Sequence, residues 1–212
     1  KSLKDNKFEI VVINDFSTDQ TESILKKCSE IYNNVKYFNN ISKGLGRAIN
    51  LGIDKAEGKY ICIIMSDLSD DVDDVKKYFK IISSENYDAV FGSRFLKESK
   101  VYGYPKKKLI LNRIANYLIK ILFFSDYNDF TNAFKIYKKD VLIKTKPLIS
   151  ESFNIFLEMP LKIVSRKFSY KIIPINWNDR KKGESKFIFN ELKSKYLFTL
   201  LYCFLEKILL KK

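Results

Sequence analysis

Phe8-Glu-Ile-Val-Val-Ile-Asn-Asp15 and Tyr60-Ile-Cys-Ile-Ile-Met-Ser-Asp67 are the two stretches of sequence that decide the fold. Each is a short run of mostly apolar residues that ends on an aspartate, and continuous apolar character is typical of parallel strands covered on both faces. A capping-box pattern from Ser17 to Gln20 predicts a helix that continues to about Ile31. Leu45 to Ala56 is predicted as a second helix. This alternation predicts βαβ units and a doubly wound, mostly parallel α/β sheet.

Polar residues follow three of the predicted strands at the point where each strand ends. Val35 to Phe38 is predicted as an edge strand, Asp70 to Ile82 as a helix with an acidic first turn, and Ala89 to Phe91 as a further strand. The polar pairs at the strand ends are Asn14-Asp15, Ser66-Asp67 and Ser93-Arg94. Ligands of doubly wound sheets bind beyond the carboxyl ends of the strands, so we expect a binding site there.

The second half of the chain is predicted to be mainly helical. Helices are expected at Leu109–Phe124, Phe153–Val164 and Phe187–Leu210, and lysines lie on the otherwise apolar first and last of these. No stretch reaches the roughly 20 uninterrupted apolar residues that span a bilayer. An apolar helix rimmed by lysines is typical of a membrane interface, although packing on the sheet explains each helix equally well. We expect one domain with a C-terminal helical extension.

The composition excludes several kinds of chemistry. The 212 residues include 39 Lys plus Arg, 25 Asp plus Glu and no histidine, which gives a net charge of +14. Without histidine there is no Ser-His-Asp triad, no histidine zinc site and no imidazole base. The positive surplus indicates an anionic partner: nucleic acid, an acidic membrane surface or a phosphorylated small molecule. Cys28, Cys62 and Cys203 show no close pairing, which favours reduced thiols over a disulfide framework or metal cluster.

Six segments, in order and at consistent spacing, resemble the motifs of family 2 glycosyltransferases with the GT-A (Rossmann-like) fold. These segments are Val11–Thr21 (V-V-D-D-G-S-x-D-x-T in the family), Lys43–Ala48, Ser66–Asp71 (the D-x-D metal motif), Gly92–Phe95 (G-S-R-[YF]), Asp129–Tyr137 (D-x-x-S-G-F-[RK]-x-Y) and Arg180–Lys186 (R-x-x-G-x-S-K). The combination is most similar to the polyprenol-phosphate (dolichyl-phosphate) sugar synthases. The resemblance implies a GT-A nucleotide-sugar transferase domain over residues 1–186, without the family's first strand, and an amphipathic membrane-interface helix over residues 187–212.

The resemblance places the donor nucleotide near the end of the first strand. Asp15 and Ser17 would bind the nucleoside, since a carboxylate accepts hydrogen bonds from a uracil or guanine N–H. Lys43 and Gly44 belong to the same surface, where a glycine allows close backbone approach. The alternative for Asp15 and Ser17 is that they only cap the following helix. Because Ser17 already supplies a cap, nucleotide contact is favoured for Asp15.

Asp67 is the best candidate ligand for a divalent cation, Mg²⁺ or Mn²⁺. Such a cation bridges the donor's phosphates and offsets the charge of the leaving nucleoside diphosphate. Met65 takes the place of the first acid in the D-x-D motif, so Asp67 has to hold the metal with Ser69 or Asp70 and with phosphate and water oxygens. The rival hypothesis that follows from Met65 is a non-catalytic relative that binds nucleotide sugars.

Cationic side chains are predicted to hold the phosphates. In the family the loop that contains Arg180 and Lys186 closes over the diphosphate, and the rival interpretation is a solvated basic loop. Arg94 and Arg113 are candidates for binding the acceptor's phosphate. The alternative for Arg94 is a structural role, in which its forked guanidinium binds a carboxylate of the protein with two hydrogen bonds.

The choice of acceptor depends on a base. A sugar hydroxyl loses a proton as it attacks and requires Asp129 or Glu158 as the base, whereas a polyprenyl phosphate is already an anionic nucleophile. We therefore predict an inverting transfer from a nucleoside diphosphate sugar to a polyprenyl phosphate, by a cytoplasmic protein bound peripherally to the anionic inner face of the membrane. The rival acceptor is a hydroxyl of a cell-surface polysaccharide or other glycan. A nucleic-acid-binding module is disfavoured, because the aromatic residues lie in core-like runs.

Overall fold

Strands and helices alternate along the chain in the computed structural model, which describes residues 7–67, 69–179 and 189–210. The strands are β1 (Ile10–Asn14), β2 (Val35–Asn39), β3 (Tyr60–Ile63), β4 (Ala89–Ser93), β5 (Val101–Tyr102), β6 (Lys135–Lys138), β7 (Tyr170–Pro174) and β8 (Trp177–Asn178). The helices are α1 (Thr21–Ile31), α2 (Leu45–Lys55), α3 (Val72–Ser84), α4 (Lys106–Phe123), α5 (Lys139–Thr145), α6 (Ile155–Ser165) and α7 (Phe189–Leu209). The predicted helices are therefore present, with ends shifted by a few residues.

The described strands form three hydrogen-bonded groups. β1 and β2 make a parallel pair with Ile10 opposite Val35 and Asn14 opposite Asn39, and β2 lies at an edge, as predicted. The second group has the order β3-β6-β4-β7, and every residue of β4 in it is buried. The short strands β5 and β8 pair in parallel. The polar residues at the ends of β1, β3 and β4 thus belong to two of these three sets of strands.

One strand of the larger sheet, which the sequence patterns do not predict, is antiparallel to its neighbours. β6 is antiparallel to both of its neighbours, β3 and β4, whereas β4 and β7 are parallel. Because β3 and β4 are each antiparallel to β6, they run in the same direction, and their carboxyl ends lie at the same edge. The predicted α/β architecture is confirmed, with this one antiparallel strand.

The starts of β1 and β3 lie next to each other, although the two strands are not paired. Glu9, the residue before β1, accepts hydrogen bonds through Oε1 from the backbone N–H groups of Glu57 (2.6 Å) and Gly58 (2.8 Å), just before β3. Lys36 of β2 forms ion pairs with Glu9 (3.2 Å) and Glu57 (2.8 Å). The described residues place no strand between β1 and β3. The absence of the family's first strand stays a prediction.

The start of α1 corrects the predicted helix cap. The helix begins at Thr21 with Gln20 in the N-cap position. The Gln20 side chain makes no capping bond, and Asp19 Oδ1 accepts a hydrogen bond from the Thr21 N–H at 3.0 Å. The backbone N–H of Ser17 instead donates to Asn14 Oδ1 at 3.1 Å, which ties the turn to the end of β1. The prediction that Ser17 caps α1 is therefore wrong.

Helices α4 and α7 leave a large apolar surface exposed. The main core lies between the larger sheet and helices α4, α6 and α7, and α6 is almost entirely buried. The exposed apolar side chains of α4 include Ile110, Leu111, Ile114, Tyr117, Leu118 and Ile121. Those of α7 include Leu197, Phe198, Leu201, Leu205, Ile208 and Leu209. Among the helices of the described residues, none combines the length and the apolar character needed to cross a membrane.

Candidate active site

Asp15 follows β1 directly and is held by the turn that begins α2. Its Oδ1 atom accepts hydrogen bonds from Asn40 Nδ2 (2.8 Å) and from the backbone N–H of Gly44 (2.9 Å), and Oδ2 lies 3.2 Å from the same N–H. Gly44 is the N-cap of α2 with φ of 147°, so Asp15 lies at the positive end of that helix. The structure therefore brings two predicted nucleotide-binding residues together. It also gives Asp15 a capping role at α2, not at α1 as the alternative supposed.

Gly44 and Gly46 let residues 150–151 approach α2 closely. The N–H of Gly46 donates to the Glu151 carbonyl at 3.0 Å, and Arg47 forms an ion pair with the Glu151 carboxylate. A Cβ atom on Gly46 would overlap the Ser150 carbonyl oxygen, and one on Gly44 would lie 2.5 Å from the Glu151 carbonyl oxygen. The close approach that these glycines allow is to the protein's own backbone.

Asp67 follows β3 and is oriented by Ser69. Asp67 Oδ1 accepts hydrogen bonds from the backbone N–H of Ser69 (3.1 Å) and from its hydroxyl (2.6 Å). Ser69 is buried, and its carbonyl accepts from the N–H of Asn178 at 3.1 Å. Met65, in the place of the first family acid, packs against the main core. The position of that acid therefore supplies no oxygen ligand in this chain.

Asp70 adds a second carboxylate beside Asp67. Burial and the neighbouring Asp67 charge raise the pKa of Asp70 to about 6, although Arg94 and Lys135 act in the opposite direction. A divalent cation relieves this kind of repulsion between carboxylates. Asp67 and Asp70 fit a cation that keeps most of its ligands as water or phosphate oxygens, as Mg²⁺ usually does. Within the described part of the chain, no three acidic or cysteine side chains form a complete metal cage.

Arg94 and Asp129 form a buried, two-pronged ion pair. Arg94 Nε donates to Asp129 Oδ2 at 2.8 Å, its Nη2 donates to Oδ1 at 2.7 Å, and its backbone N–H also donates to Oδ2 at 2.9 Å. The side chain of Arg94 is 8% exposed and that of Asp129 is 0% exposed. The structural fork proposed as the alternative for Arg94 is therefore present. Because both oxygens of Asp129 are bound by Arg94, the structure does not support Asp129 as a catalytic base.

Glu158, the other candidate base, is also buried and bound. Its Oε1 accepts from the backbone N–H of Ile149 at 2.9 Å, and its Oε2 accepts from that of Ser150 at 2.7 Å. Lys162 Nζ lies 3.4 Å from Oε1. Glu158 therefore fixes the 149–151 segment against α6 and is not available to a substrate.

Lys135 of β6 is a buried cation next to the Arg94–Asp129 pair. It is 1% exposed, and its Nζ group donates to the carbonyls of Phe130 (3.2 Å) and Asn132. Burial lowers the pKa of Lys135 to about 7, and Asp129 partly offsets this effect. Lys135 therefore ties β6 to the turn that carries Asp129.

Arg113 lies on α4 beside an open groove. The groove has a volume of about 370 Å³ and is lined by Phe95, Arg113, Ile114, Tyr117 and Asn128. The guanidinium carbons of Arg113 and Arg94 lie 5.3 and 5.5 Å from the centre of the Phe95 ring. The two predicted acceptor-binding arginines thus contact one ring. Arg113 is exposed, whereas Arg94 is bound to Asp129.

Two of the predicted residues are exposed, and two others lie outside the residues that the structure describes. Ser17 and Lys43 are exposed, two residues after Asp15 and directly before Gly44. Arg180 and Lys186 lie outside the described residues, so their contact with a diphosphate stays a prediction.

Two residues that organise the site were missed by the sequence analysis. Asn40 follows β2 as Asp15 follows β1, and a polar residue at a strand end was the signal that could have found it. Lys135 interrupts the apolar run from Ala133 to Ile136, where an unpaired charge is costly. That interruption was the available sign that Lys135 is bound to other groups.

Known proteins resemble this chain over most of its length. A family model described as glycosyl transferase family 2 matches residues 1–145. The dolichol-phosphate mannosyltransferase of Pyrococcus furiosus is 28% identical over 207 residues, which cover 93% of this chain and 54% of that protein. Glycosyltransferase AglD of Haloferax volcanii is 21% identical over 182 residues, which cover 84% of this chain and 28% of that protein. The chain therefore spans about half of the first of these relatives and less of the second.

Solved structures share the fold. Glucosyl-3-phosphoglycerate synthase from Mycobacterium tuberculosis in complex with UDP matches with a TM-score of 0.66 at 14% identity, over 92% of this chain and 68% of that chain. Its complex with Mn²⁺, UDP-glucose and phosphoglyceric acid matches with a TM-score of 0.64 at 14% identity and the same coverage. At this identity the likeness shows the fold alone. With the family model matching well over half of the sequence, the chain belongs to glycosyl transferase family 2.

Proposed function

We propose that the protein transfers a sugar from a nucleoside diphosphate sugar to a polyprenyl phosphate, with inversion at the anomeric carbon. The observation that carries the choice of acceptor is the burial of both candidate bases, Asp129 and Glu158. A hydroxyl acceptor requires a carboxylate that can take its proton, whereas an oxygen of a phosphate is already anionic. The likeness to a dolichol-phosphate mannosyltransferase supports the same class of acceptor.

The nucleotide of the donor is proposed to bind at the end of β1. Asp15 accepts a hydrogen bond from the nucleobase, while Ser17, Lys43 and the backbone of Gly44 complete this surface. The α2 N-terminus adds positive potential there. This assignment is supported by the way in which the α2 turn fixes the Asp15 carboxylate.

The donor's diphosphate is proposed to lie at the end of β3. Asp67, oriented by Ser69 and with Asp70 beside it, would hold Mg²⁺ or Mn²⁺, which supplies positive charge to offset the charge developing on the leaving group. The presence of two carboxylates, Asp67 and Asp70, after β3 supports a cation at this point. Arg180 and Lys186 are proposed to bind the diphosphate as well.

The transfer itself needs no proton acceptor on the protein. An anionic oxygen of the acceptor phosphate attacks the anomeric carbon from the face opposite the diphosphate. A carbon–oxygen bond forms as the bond to the diphosphate breaks, and the nucleoside diphosphate leaves with the electron pair. Arg113 binds the acceptor phosphate in the groove beside Phe95, and Arg94, locked by Asp129, fixes the Phe95 side of that groove.

The exposed faces of α4 and α7 are proposed to lie on an anionic membrane surface. The two helices meet at their C-terminal ends, where the rings of Phe123 and Phe204 are 6.0 Å apart and Lys207 Nζ is 4.9 Å from the ring of Phe124. Lys106, Lys107 and Lys108 at the start of α4 add charge that attracts anionic lipid. This placement would bring Arg113 to the level of a lipid phosphate.

Membrane binding is tested by cosedimentation with vesicles. Binding to phosphatidylglycerol vesicles is expected, with much weaker binding to phosphatidylcholine. The double substitution Leu111→Glu and Leu118→Glu should weaken binding to the phosphatidylglycerol vesicles, because both leucines are exposed on α4. Equal binding of the double variant would contradict this part of the proposal.

The transferase reaction is tested by incubating the full chain with radiolabelled UDP- or GDP-sugars, Mn²⁺ and one of two acceptors, a polyprenyl phosphate or an oligosaccharide. The proposal expects label in the lipid extract with the polyprenyl phosphate. Label on the oligosaccharide would favour the hydroxyl acceptor instead. Nucleotide-sugar binding without transfer to either would favour the non-catalytic relative that Met65 suggests.

A further inference from the structure

Asn40 binds Asp15 and the start of α2 through the Nδ2 group of its side-chain amide, while Oδ1 binds the backbone of the next residue. It is the residue after β2 and is 8% exposed. Its Nδ2 group donates to Asp15 Oδ1 at 2.8 Å and to the Gly44 carbonyl at 3.4 Å, and its Oδ1 accepts from the N–H of Ile41 at 3.0 Å. Its backbone N–H donates to the Asn14 carbonyl at 2.9 Å. Asn40 therefore joins the ends of β1 and β2 to the start of α2.

These bonds fix the rotation of the Asp15 carboxylate. Oδ1 accepts two short bonds, from Asn40 Nδ2 and from the Gly44 N–H at 2.9 Å, whereas Oδ2 has the longer contact of 3.2 Å with that N–H. Each carboxylate oxygen can accept about two hydrogen bonds. Oδ2 is therefore the oxygen with the greater remaining capacity for a nucleobase N–H.

We infer that Asn40 is a positioning residue for nucleotide binding, which holds Oδ1 of Asp15 and so presents Oδ2 to the donor's nucleobase. The inference rests on the proposed function and adds a residue that does not itself touch the donor. The side-chain amide serves this role because it donates to a carboxylate and accepts from the Ile41 N–H at the same time. An apolar side chain would leave both groups without these bonds.

Calorimetric titration of the full chain with UDP and with GDP, in the presence of Mn²⁺, tests this role. Asn40→Ala is expected to weaken nucleotide binding roughly tenfold, the effect of one hydrogen bond to a charged group. In a chain that already carries Asp15→Ala, the same substitution is expected to cause no further loss of nucleotide affinity. Asn39→Ala is the matched control, since the amide of Asn39 bonds to Asn14 and Glu22 and should leave the affinity unchanged.

Asn40→Asp keeps the shape of the side chain and covers the case in which Asn40→Ala does not fold. Two carboxyl groups at hydrogen-bond distance share a proton at low pH and repel each other when both are ionised. Compared with wild type at the same pH, this variant is expected to bind nucleotide nearly normally at about pH 5 and roughly tenfold more weakly at about pH 8. An equal loss at both pH values overturns the inference.

The outcomes separate the inference from the proposed function. If the wild-type chain binds neither UDP nor GDP, the proposed function is overturned and the role of Asn40 with it. If Asp15→Ala binds as wild type does, the assignment of Asp15 to the nucleobase is wrong, and the inference falls too. Two results overturn the inference alone. In the first, Asp15→Ala binds nucleotide weakly but Asn40→Ala binds it normally. In the second, Asn40→Ala lowers the nucleotide affinity by the same factor with and without Asp15.

Discussion

The Arg94 guanidinium and the Asp129 carboxylate are joined by two side-chain hydrogen bonds of 2.7 and 2.8 Å at a position from which solvent is nearly excluded. Asp129 belongs to a segment that resembles a family motif, and the sequence made it one of two candidate bases, with Glu158. The pairing supports a structural role for Asp129, because Arg94 already occupies both of its carboxylate oxygens at a buried position.

Asp129→Asn tests the structural role of Asp129. Removing one partner of a buried ion pair leaves the Arg94 charge uncompensated, so the free energy of unfolding should fall by about 3–5 kcal/mol. Urea unfolding measures the change, and Asp126→Asn, at an exposed site three residues earlier, should have almost no effect. A variant as stable as wild type but without transfer activity would instead identify Asp129 as a catalytic residue.

Alanine at Gly46 and at Gly52 should have opposite effects, although both residues lie in α2. A Cβ atom at position 46 overlaps a backbone carbonyl, whereas one at position 52 makes an ordinary 3.5 Å contact with Ile13 Cγ1. Gly46→Ala should lower the free energy of unfolding by about 1–3 kcal/mol or more. Gly52→Ala should raise it by up to about 1 kcal/mol through helix propensity. Urea unfolding of both variants checks this, and a stabilised Gly46→Ala would contradict the close packing of residues 150–151 on α2.

Phe16 is held in a conformation that favours glycine. Its φ angle is 59°, and the family segment that resembles Val11–Thr21 has glycine at this position. Phe16→Gly should therefore be more stable than Phe16→Ala, which removes the ring but keeps the strain, by about 1 kcal/mol. Thermal unfolding compares the two variants. Equal stability would mean that φ at this residue is negative in solution.

Lys135 should make the free energy of unfolding rise as the pH rises. Burial lowers the pKa of Lys135 to about 7, whereas a lysine in the unfolded chain titrates near about 10.4. Between these values the unfolded chain binds the extra proton, so the Lys135 contribution to the free energy of unfolding rises with pH, and it is least favourable below about pH 7. Lys135→Met removes this dependence. Urea unfolding at about pH 6 and about pH 9 measures the free energy of unfolding of both proteins. The value for wild type minus the value for the variant should be larger at about pH 9, and a difference that does not change with pH would contradict the lowered pKa.

Local patterns in the sequence were sufficient to predict the strands that end at Asp15 and Asp67, because continuous apolar runs and the polar residues after them are local signals. They were not sufficient to predict β6, because the lysines at both of its ends interrupt the apolar pattern that is typical of a central strand. The burial of Lys135 is possible only because distant carbonyls and carboxylates surround it.

The side-chain partners in the site depend on contacts between residues far apart in sequence. Asp129 is paired with Arg94 across 35 positions, and Asp15 with Gly44 across 29. The pattern from Ser17 to Gln20 predicted a cap that the helix does not use, because Asn14 binds the Ser17 N–H and the helix starts four residues later. Motif order predicted which segments form the candidate site, but it did not distinguish residues proposed to contact a ligand from residues that hold those in place.

The proposed donor site is tested most directly by the effect of a divalent metal on nucleotide binding by wild type and by Asp67→Ala. Calorimetry with UDP and GDP, with and without Mn²⁺, should show that wild type binds one nucleotide at least roughly tenfold more tightly with the metal. Asp67→Ala should lose this gain, whereas Asp73→Ala, an exposed carboxylate in the first turn of α3, should keep it. Binding that does not depend on metal, or that Asp67→Ala leaves unchanged, would contradict the assignment of the end of β3 to the metal and the diphosphate.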